Sequence, residues 1–119
     1  MKSIELISDP STTYDKSAQP LEWESDRLDY AHTIREIIRK PLNPAGADIV
    51  EIHKGIRVLS ALEGLVTGDM LNLEDQDHEH LCDKVNAFRW AIVDIRIDRF
   101  LSAVLGAGSI RNGEQHAAP

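Results

Sequence analysis

Apolar residues in the middle of the chain recur at intervals of three and four positions, the spacing of one face of an α-helix. The spacing predicts helix one over residues 26–39, with Ser25 as its N-cap and Pro41 ending it. Helix two follows Asp48, which caps it with Glu51 as the second residue of a capping box. We expect its apolar stripe to face the core. That stripe comprises Ile49, Ile52, Ile56, Leu59, Leu62 and Val66.

The second half of the chain predicts one further helix or two. Leu71 and Leu73 predict a short extended segment, and helix three begins near Glu74 or Asp75. Its apolar face comprises Leu81, Val85, Phe88 and Ile92. A second stripe, one residue out of phase, comprises Val93, Ile97, Phe100, Leu101, Val104 and Leu105. The change of phase predicts a break near Asp94, which caps a fourth helix. One continuous, bent helix is the alternative.

The N-terminal region follows a different period. Ile4 and Leu6 alternate with polar residues, and so do Leu21 and Trp23. Alternation with a period of two is typical of β-strands. Turn-prone residues separate the two stretches, so the pattern predicts an irregular β-hairpin over residues 2–24. Because two strands alone are marginally stable, we expect the hairpin to pack against the helices.

These elements predict a mostly α fold, a small bundle of three to four helices with an N-terminal β-hairpin. The chain of 119 residues has the length of one domain, which we place at residues 1–105. From Gly106 onwards small and polar residues dominate, which predicts a disordered C-terminal tail over residues 106–119. Gly55 lies inside helix two, where glycine costs about 1 kcal/mol relative to alanine. We expect it to permit a close approach of helix one.

Charge narrows the range of partners. Thirteen lysines and arginines stand against 20 aspartates and glutamates, a net charge of −7. An acidic chain lacks the basic surface that displaces counterions from nucleic acid, so we expect no nucleic-acid partner. The charge is compatible with a basic protein partner.

The apolar runs of the chain are too short to cross a membrane, so we expect no membrane partner. Glu5 and Asp9 interrupt the region where a signal peptide would be apolar, which predicts a cytoplasmic location.

One short acidic segment holds the residues most suited to chemistry. His78 and Cys82 are four positions apart, so a helix places them on one face, as two metal ligands or as a base and a thiol. His80 points elsewhere from a regular helix, so the three cannot share one ion. We therefore predict no catalytic residue, no metal, no cofactor and no enzymatic activity. A small metal- or thiol-dependent enzyme that uses His78 and Cys82 is the alternative.

Apolar residues outside the main stripes indicate where a partner binds. Val58 lies off the stripe of helix two, and Ile95 lies off the stripe of the final helix. A small bundle covers one stripe per helix, so a second apolar set is expected at the surface. We predict that Val58, Ile95 and Trp90 belong to a protein interface, either for self-association or for a heterologous partner. A thicker core, in which the hairpin covers these residues, is the alternative.

Several stretches resemble proteins of one genomic setting. They are residues 40–49 (KPLNPAGADI) leading into 56–59 (IRVL), residues 71–75 (LNLED) and residues 88–94 (FRWAIVD). With them, the chain resembles small proteins encoded among the structural genes of tailed phages, over most of its length. The resemblance implies a tail-assembly chaperone or a minor virion component that binds a phage tail or structural protein. It places the chain in the host cytoplasm, with the virion as an alternative.

The leading functional hypothesis is therefore a non-enzymatic phage assembly or structural protein that acts by binding other protein chains. A small regulatory inhibitor, such as an antitoxin or a blocker of host defence, is the alternative from another class. The acidic net charge of −7 suits this alternative as well.

Overall fold

The computed structural model describes residues 1–9, 28–90 and 93–109. Over these residues the fold is mostly helical, with four helices and five short strands. The strands are β1 (Lys2–Glu5), β2 (Ser8–Asp9), β3 (Leu28–Asp29), β4 (Met70–Leu73) and β5 (Gly108–Ser109). The helices are α1 (Tyr30–Arg39), α2 (Ile49–Leu62), α3 (Asp75–Ala87) and α4 (Ile95–Leu105). The prediction of a mostly helical fold with three to four helices is confirmed.

The N-terminal strand does not form the predicted hairpin. β1 is the central strand of a three-stranded sheet in the order β4-β1-β5, and it runs antiparallel to both neighbours. Ile4 lies opposite Leu71, and both side chains are buried. The apolar alternation predicted the strand correctly, but it carries no information on the distant partner that covers its edge. The second predicted strand, at Leu21 and Trp23, lies outside the described residues.

Helix one begins later than its apolar spacing predicts. Leu28 and Asp29 are extended and pair with Ser8 and Asp9, which forms a second, two-stranded sheet. Asp29 then caps α1, because its carboxylate accepts a hydrogen bond of 2.9 Å from the backbone N–H of His32. The predicted start at residue 26 is therefore wrong by four residues, and the predicted cap, Ser25, lies outside the described residues.

The ordered chain also continues past the predicted domain end at residue 105. Gly108 and Ser109 pair with Ser3 and Lys2 on the free edge of β1. The first residues of the predicted tail, 106–109, therefore belong to the fold, because the edge of a strand offers backbone hydrogen bonds regardless of side-chain composition. The rest of that tail lies outside the described residues.

The predicted break between the last two helices is confirmed. α3 ends at Ala87, and Asp94 caps α4 with a hydrogen bond of 2.7 Å from the backbone N–H of Arg96. Asp94 and Arg96 are both buried, and their side chains form an ion pair. Val93, which the sequence assigned to the stripe of this helix, is fully exposed just before the cap.

The core lies between the three-stranded sheet and the inward faces of the helices. Tyr30 of α1 meets Phe100 of α4 edge to face, with ring centroids 5.1 Å apart. The other large, fully buried side chains are Ile4, Leu6, Ile34, Ile37, Leu62, Leu71, Leu73, Leu81, Val58, Val85 and Val104. Among the described residues, no helix combines the length and the apolar character needed to span a membrane.

Candidate functional site: an exposed aliphatic stripe on helix α2

α2 presents most of its predicted core stripe to solvent. Ile49, Ile52 and Ile56 are 68%, 49% and 53% exposed, whereas Val58 is 0% exposed. Leu59, next along the same face, is half-buried. We call Ile49, Ile52, Ile56 and Leu59 the α2 stripe. The expectation that this stripe faces the core is wrong for its exposed members, and the helix is rotated so that another face packs inward.

Gly55 explains which face of α2 packs inward. A Cβ atom at this position would lie 3.3 Å from Cγ2 of Ile38, so the absent side chain lets α1 approach closely. Val58 and Leu62 follow at the spacing of the same helix face, and both are fully buried. The expected approach of helix one at Gly55 is confirmed, and that approach places the α2 stripe at the surface.

A buried lysine of α3 ties α1 and α2 together. Lys84 is 4% exposed, and its ammonium group donates to the carbonyl oxygens of Ile38, 3.0 Å away, and Lys40 at the end of α1. The same ammonium forms an ion pair with Glu51 in the first turn of α2. Three helices therefore meet at one side chain, which fixes the orientation of α2.

Only the Asp48 half of the predicted capping box forms, because the Glu51 side chain has other partners. Asp48 caps α2 as expected, since its carboxylate accepts a hydrogen bond of 2.8 Å from the backbone N–H of Glu51. The Glu51 carboxylate turns instead to Lys84 and to the backbone N–H of Leu42, 2.9 Å away. The hydrogen bond from Lys84, aided by that from Leu42, holds the pKa of Glu51 below its ordinary value despite partial burial.

A shallow groove borders the α2 stripe on the side of α1. Its volume is about 180 Å³, and Ile52, Ile56 and Leu59 belong to both the groove and the stripe. The lining residues are Ile38, Arg39, Ala47, Glu51, Ile52, Gly55, Ile56, Leu59 and Lys84. Because the lining is mostly aliphatic, and because Glu51 and Lys84 already satisfy each other, the groove suits apolar side chains rather than a reacting substrate.

The three residues predicted to bind a partner come from separate segments. Val58 was expected at the surface, and this expectation is wrong because Val58 lies on the buried face of α2. Trp90 is half-buried, with its ring centroid 4.8 Å from that of Phe88 and 5.9 Å from that of Phe100. Ile95 is half-buried at the start of α4. For Trp90 and Ile95 the role in an interface stays a prediction.

His78 and Cys82 lie close together, but their contacts hold helices in place rather than prepare the thiol for reaction. Nε2 of His78 lies 2.7 Å from the carbonyl oxygen of Val104, so this nitrogen carries the proton and donates across to α4. The Cys82 sulfur lies 3.4 Å from the same nitrogen. Burial raises the pKa of the Cys82 thiol, and the carboxylate of Asp83 raises it further, which opposes formation of a nucleophilic thiolate. Within the described ranges, no three metal-ligating side chains cluster together.

His80 points away from His78, as expected, and packs on the α2 side of α3. It is 6% exposed, and its Nε2 atom has no hydrogen-bond partner among the described residues. Desolvation lowers its pKa, and the nearby ammonium groups of Lys84 and Lys54 lower it further. His80 is therefore held neutral beside two lysines.

Sequence reasoning missed the α2 stripe as a surface although the signal was present. Gly55, Val58 and Leu62 follow one another at intervals of three and four, and this set competes with the longer isoleucine stripe for the core.

Comparison of the whole chain with protein-family models, with curated protein sequences and with solved structures found no match.

Proposed function

We propose that this chain is a non-enzymatic protein that acts by binding another protein chain through the α2 stripe. One observation carries the proposal: Ile49, Ile52 and Ile56 are about half exposed or more, although they form a continuous helical face. Isolated surface isoleucines are common, but a contiguous aliphatic face beside an aliphatic groove is typical of a protein-binding surface.

The rigidity of the helix supports the same proposal. On its inner side, α2 packs against Ile38 of α1 at Gly55, and the ion pair between Glu51 and Lys84 links it to α3. A further ion pair joins Arg57 to Asp77 of α3, at 2.8 Å. A helix fixed on its inner side presents its outer face with little conformational entropy to lose on binding, which favours association.

We further propose a role in tailed-phage assembly, as a tail-assembly chaperone or a minor virion protein. This part rests on the resemblance of residues 40–49, 56–59, 71–75 and 88–94 to small proteins of phage structural gene clusters. A protein of this kind needs an interaction surface and no reaction centre. The α2 stripe supplies such a surface.

Site-specific photo-crosslinking in phage-infected cells tests the proposal. A photoreactive amino acid replaces Ile52 in one variant and Ala61 in the control. Ala61 is exposed on the same helix, nine residues further on and therefore about half a turn out of phase. We expect position 52, and not position 61, to form adducts with a phage tail or structural protein. Equal labelling at both positions would refute the binding surface, and adducts with a toxin or a host defence protein would favour the inhibitor alternative.

A further inference from the structure

We infer that a pocket between α2 and α3 binds the guanidinium group of an arginine on the protein partner. The pocket has a volume of about 220 Å³, and we call it the His80 pocket. Its polar lining residues are Asp48, Glu51, Lys54, His80 and Asp83. The inference rests on the proposed function, because it names a chemical group that the partner presents.

The unpartnered ring of His80 is the observation that points to a ligand. His80 lines the pocket from α3 and is 6% exposed, and its Nε2 atom has no hydrogen-bond partner among the described residues. Buried polar atoms are normally hydrogen-bonded, so such an atom in the wall of a cavity indicates a group that enters and completes the bond. Desolvation lowers the pKa of His80, so the ring is neutral near pH 7. With its proton on Nδ1, a neutral ring offers Nε2 as an acceptor.

The charges around the pocket favour a cation. Three carboxylates line it against one ammonium group, that of Lys54. Glu51 is already paired with Lys84. The other two carboxylates, Asp48 of the α2 cap and Asp83 of α3, are exposed and form no ion pair within the part of the chain that the structure describes. Lys54 is exposed on a flexible stem, so its ammonium can turn to solvent when a cation enters.

A guanidinium group fits this set of acceptors better than an ammonium group does. It is planar and carries five N–H donors, so it can donate to carboxylates on two helices and to a ring nitrogen at once. An ammonium group is more strongly hydrated and costs more to bring into a pocket. Arginine is also enriched among the residues that dominate protein interfaces. A net charge of −7 on this chain favours a basic protein as the source of that arginine.

An NMR titration of the purified full chain with a capped peptide, acetyl-Gly-Arg-Gly-amide, tests the pocket. We expect a dissociation constant in the roughly millimolar range, as suits one side chain without the rest of an interface. The amide shifts are centred on Lys54 and Asp83. The same peptide with citrulline, which has the shape of arginine but no charge, binds at least about tenfold more weakly. The peptide with lysine binds about threefold more weakly.

Variants of the chain assign the binding to individual side chains. Asp83→Asn weakens binding of the arginine peptide about two- to fivefold. Asp98→Asn, at an exposed position of α4, removes the same charge elsewhere and leaves the affinity unchanged. His80→Phe keeps a ring in the wall of the pocket but offers no acceptor, and it weakens binding about tenfold. Lys54→Met removes the competing cation and tightens binding. Circular dichroism verifies that the four variants fold.

Several outcomes would overturn the inference. They are the absence of localised shifts up to about 50 mM peptide, equal binding of the citrulline or lysine peptide, and equal effects of Asp83→Asn and Asp98→Asn. Tighter binding of inorganic phosphate, which Lys54→Met then weakens, would show that the pocket takes an anion. Tighter binding of free arginine than of the peptide would overturn the protein source. Each of these results concerns the His80 pocket alone, and the crosslinks from position 52 decide the proposed function separately.

Discussion

Helices α2 and α3 divide their residues between core and solvent in opposite ways. α2 exposes three isoleucines, Ile49, Ile52 and Ile56. α3 buries four polar or charged residues, which are Asp77, His78, His80 and Lys84. The usual rule, which places apolar residues inside and polar residues outside, fails for both helices. Both exceptions arise from the polar contacts by which α3 holds α2.

The polar residues that α3 buries are mostly paired with its neighbours. Lys84 binds the end of α1 and the start of α2, Asp77 binds Arg57 of α2, and His78 donates to the backbone of α4. Burial of polar groups is tolerated when each finds a partner. α3 therefore positions α2 by specific contacts on its inner side. The outer side of α2 is then left exposed with its apolar side chains, and the proposed function assigns this surface to binding rather than to folding.

The largest expected effect is the loss of the lysine that joins three helices. Lys84→Met removes the buried ammonium, so Glu51 loses its ion-pair partner and the carbonyl oxygens of Ile38 and Lys40 lose this donor. We expect the free energy of unfolding to fall by about 3–5 kcal/mol, as for other buried pairs that lose one partner. Urea denaturation measures this value. Lys54→Met, at an exposed position of α2, is the control and changes it by less than about 0.5 kcal/mol. Equal effects of the two substitutions would contradict the role given to Lys84.

A smaller effect separates the two faces of α2. Val58→Ala removes two fully buried methyl groups and is expected to cost about 2 kcal/mol of unfolding free energy. Ile56→Ala removes more atoms from the exposed face, but in the monomer it changes stability by only about 0.5 kcal/mol. Urea denaturation at low protein concentration measures both. The reverse order would show that the isoleucine stripe, as first predicted, is the core.

The local signals in the sequence predicted the elements better than their packing. Asp48 and Asp94 were identified as caps because capping depends on residues within one turn. The rotation of α2 could not be predicted from its isoleucine spacing, because it depends on the contact of Gly55 with Ile38 of another helix. The partner of β1 was missed for the same reason, since its register with β4 joins residues about 70 positions apart. Nothing in the composition of α3 predicts that Lys84 is buried, because its partners lie outside α3: the carbonyl oxygens of Ile38 and Lys40 and the carboxylate of Glu51.

The smallest expected effect is the pH dependence of the free energy of unfolding that arises from His80. This side chain of α3 is buried, and its Nε2 atom has no hydrogen-bond partner among the described residues. Burial and the ammonium groups of Lys84 and Lys54 lower the pKa of His80 below 6.5, while Glu51 and Asp83 oppose this shift in part. The unfolded chain therefore binds a proton at His80 more readily than the folded chain does. The free energy of unfolding is then expected to fall as the pH drops below about 6.5.

The contribution of His80 to this pH dependence is tested by replacing it with a side chain that does not titrate. His80→Gln keeps a polar side chain of similar size but binds no proton, so the slope of unfolding free energy against pH between 7 and 5 becomes shallower than in the natural chain. His32→Gln, at an exposed position of α1, leaves the slope unchanged. Urea denaturation at a series of pH values measures all three proteins. Glu51 titrates in a lower window, because its pKa lies below 4.5, and its loss of the Lys84 contact adds to the instability only at more acidic pH. If His80→Gln and His32→Gln give the same slope as the natural chain, His80 exchanges protons equally in the folded and unfolded states, and the low pKa assigned to it is wrong.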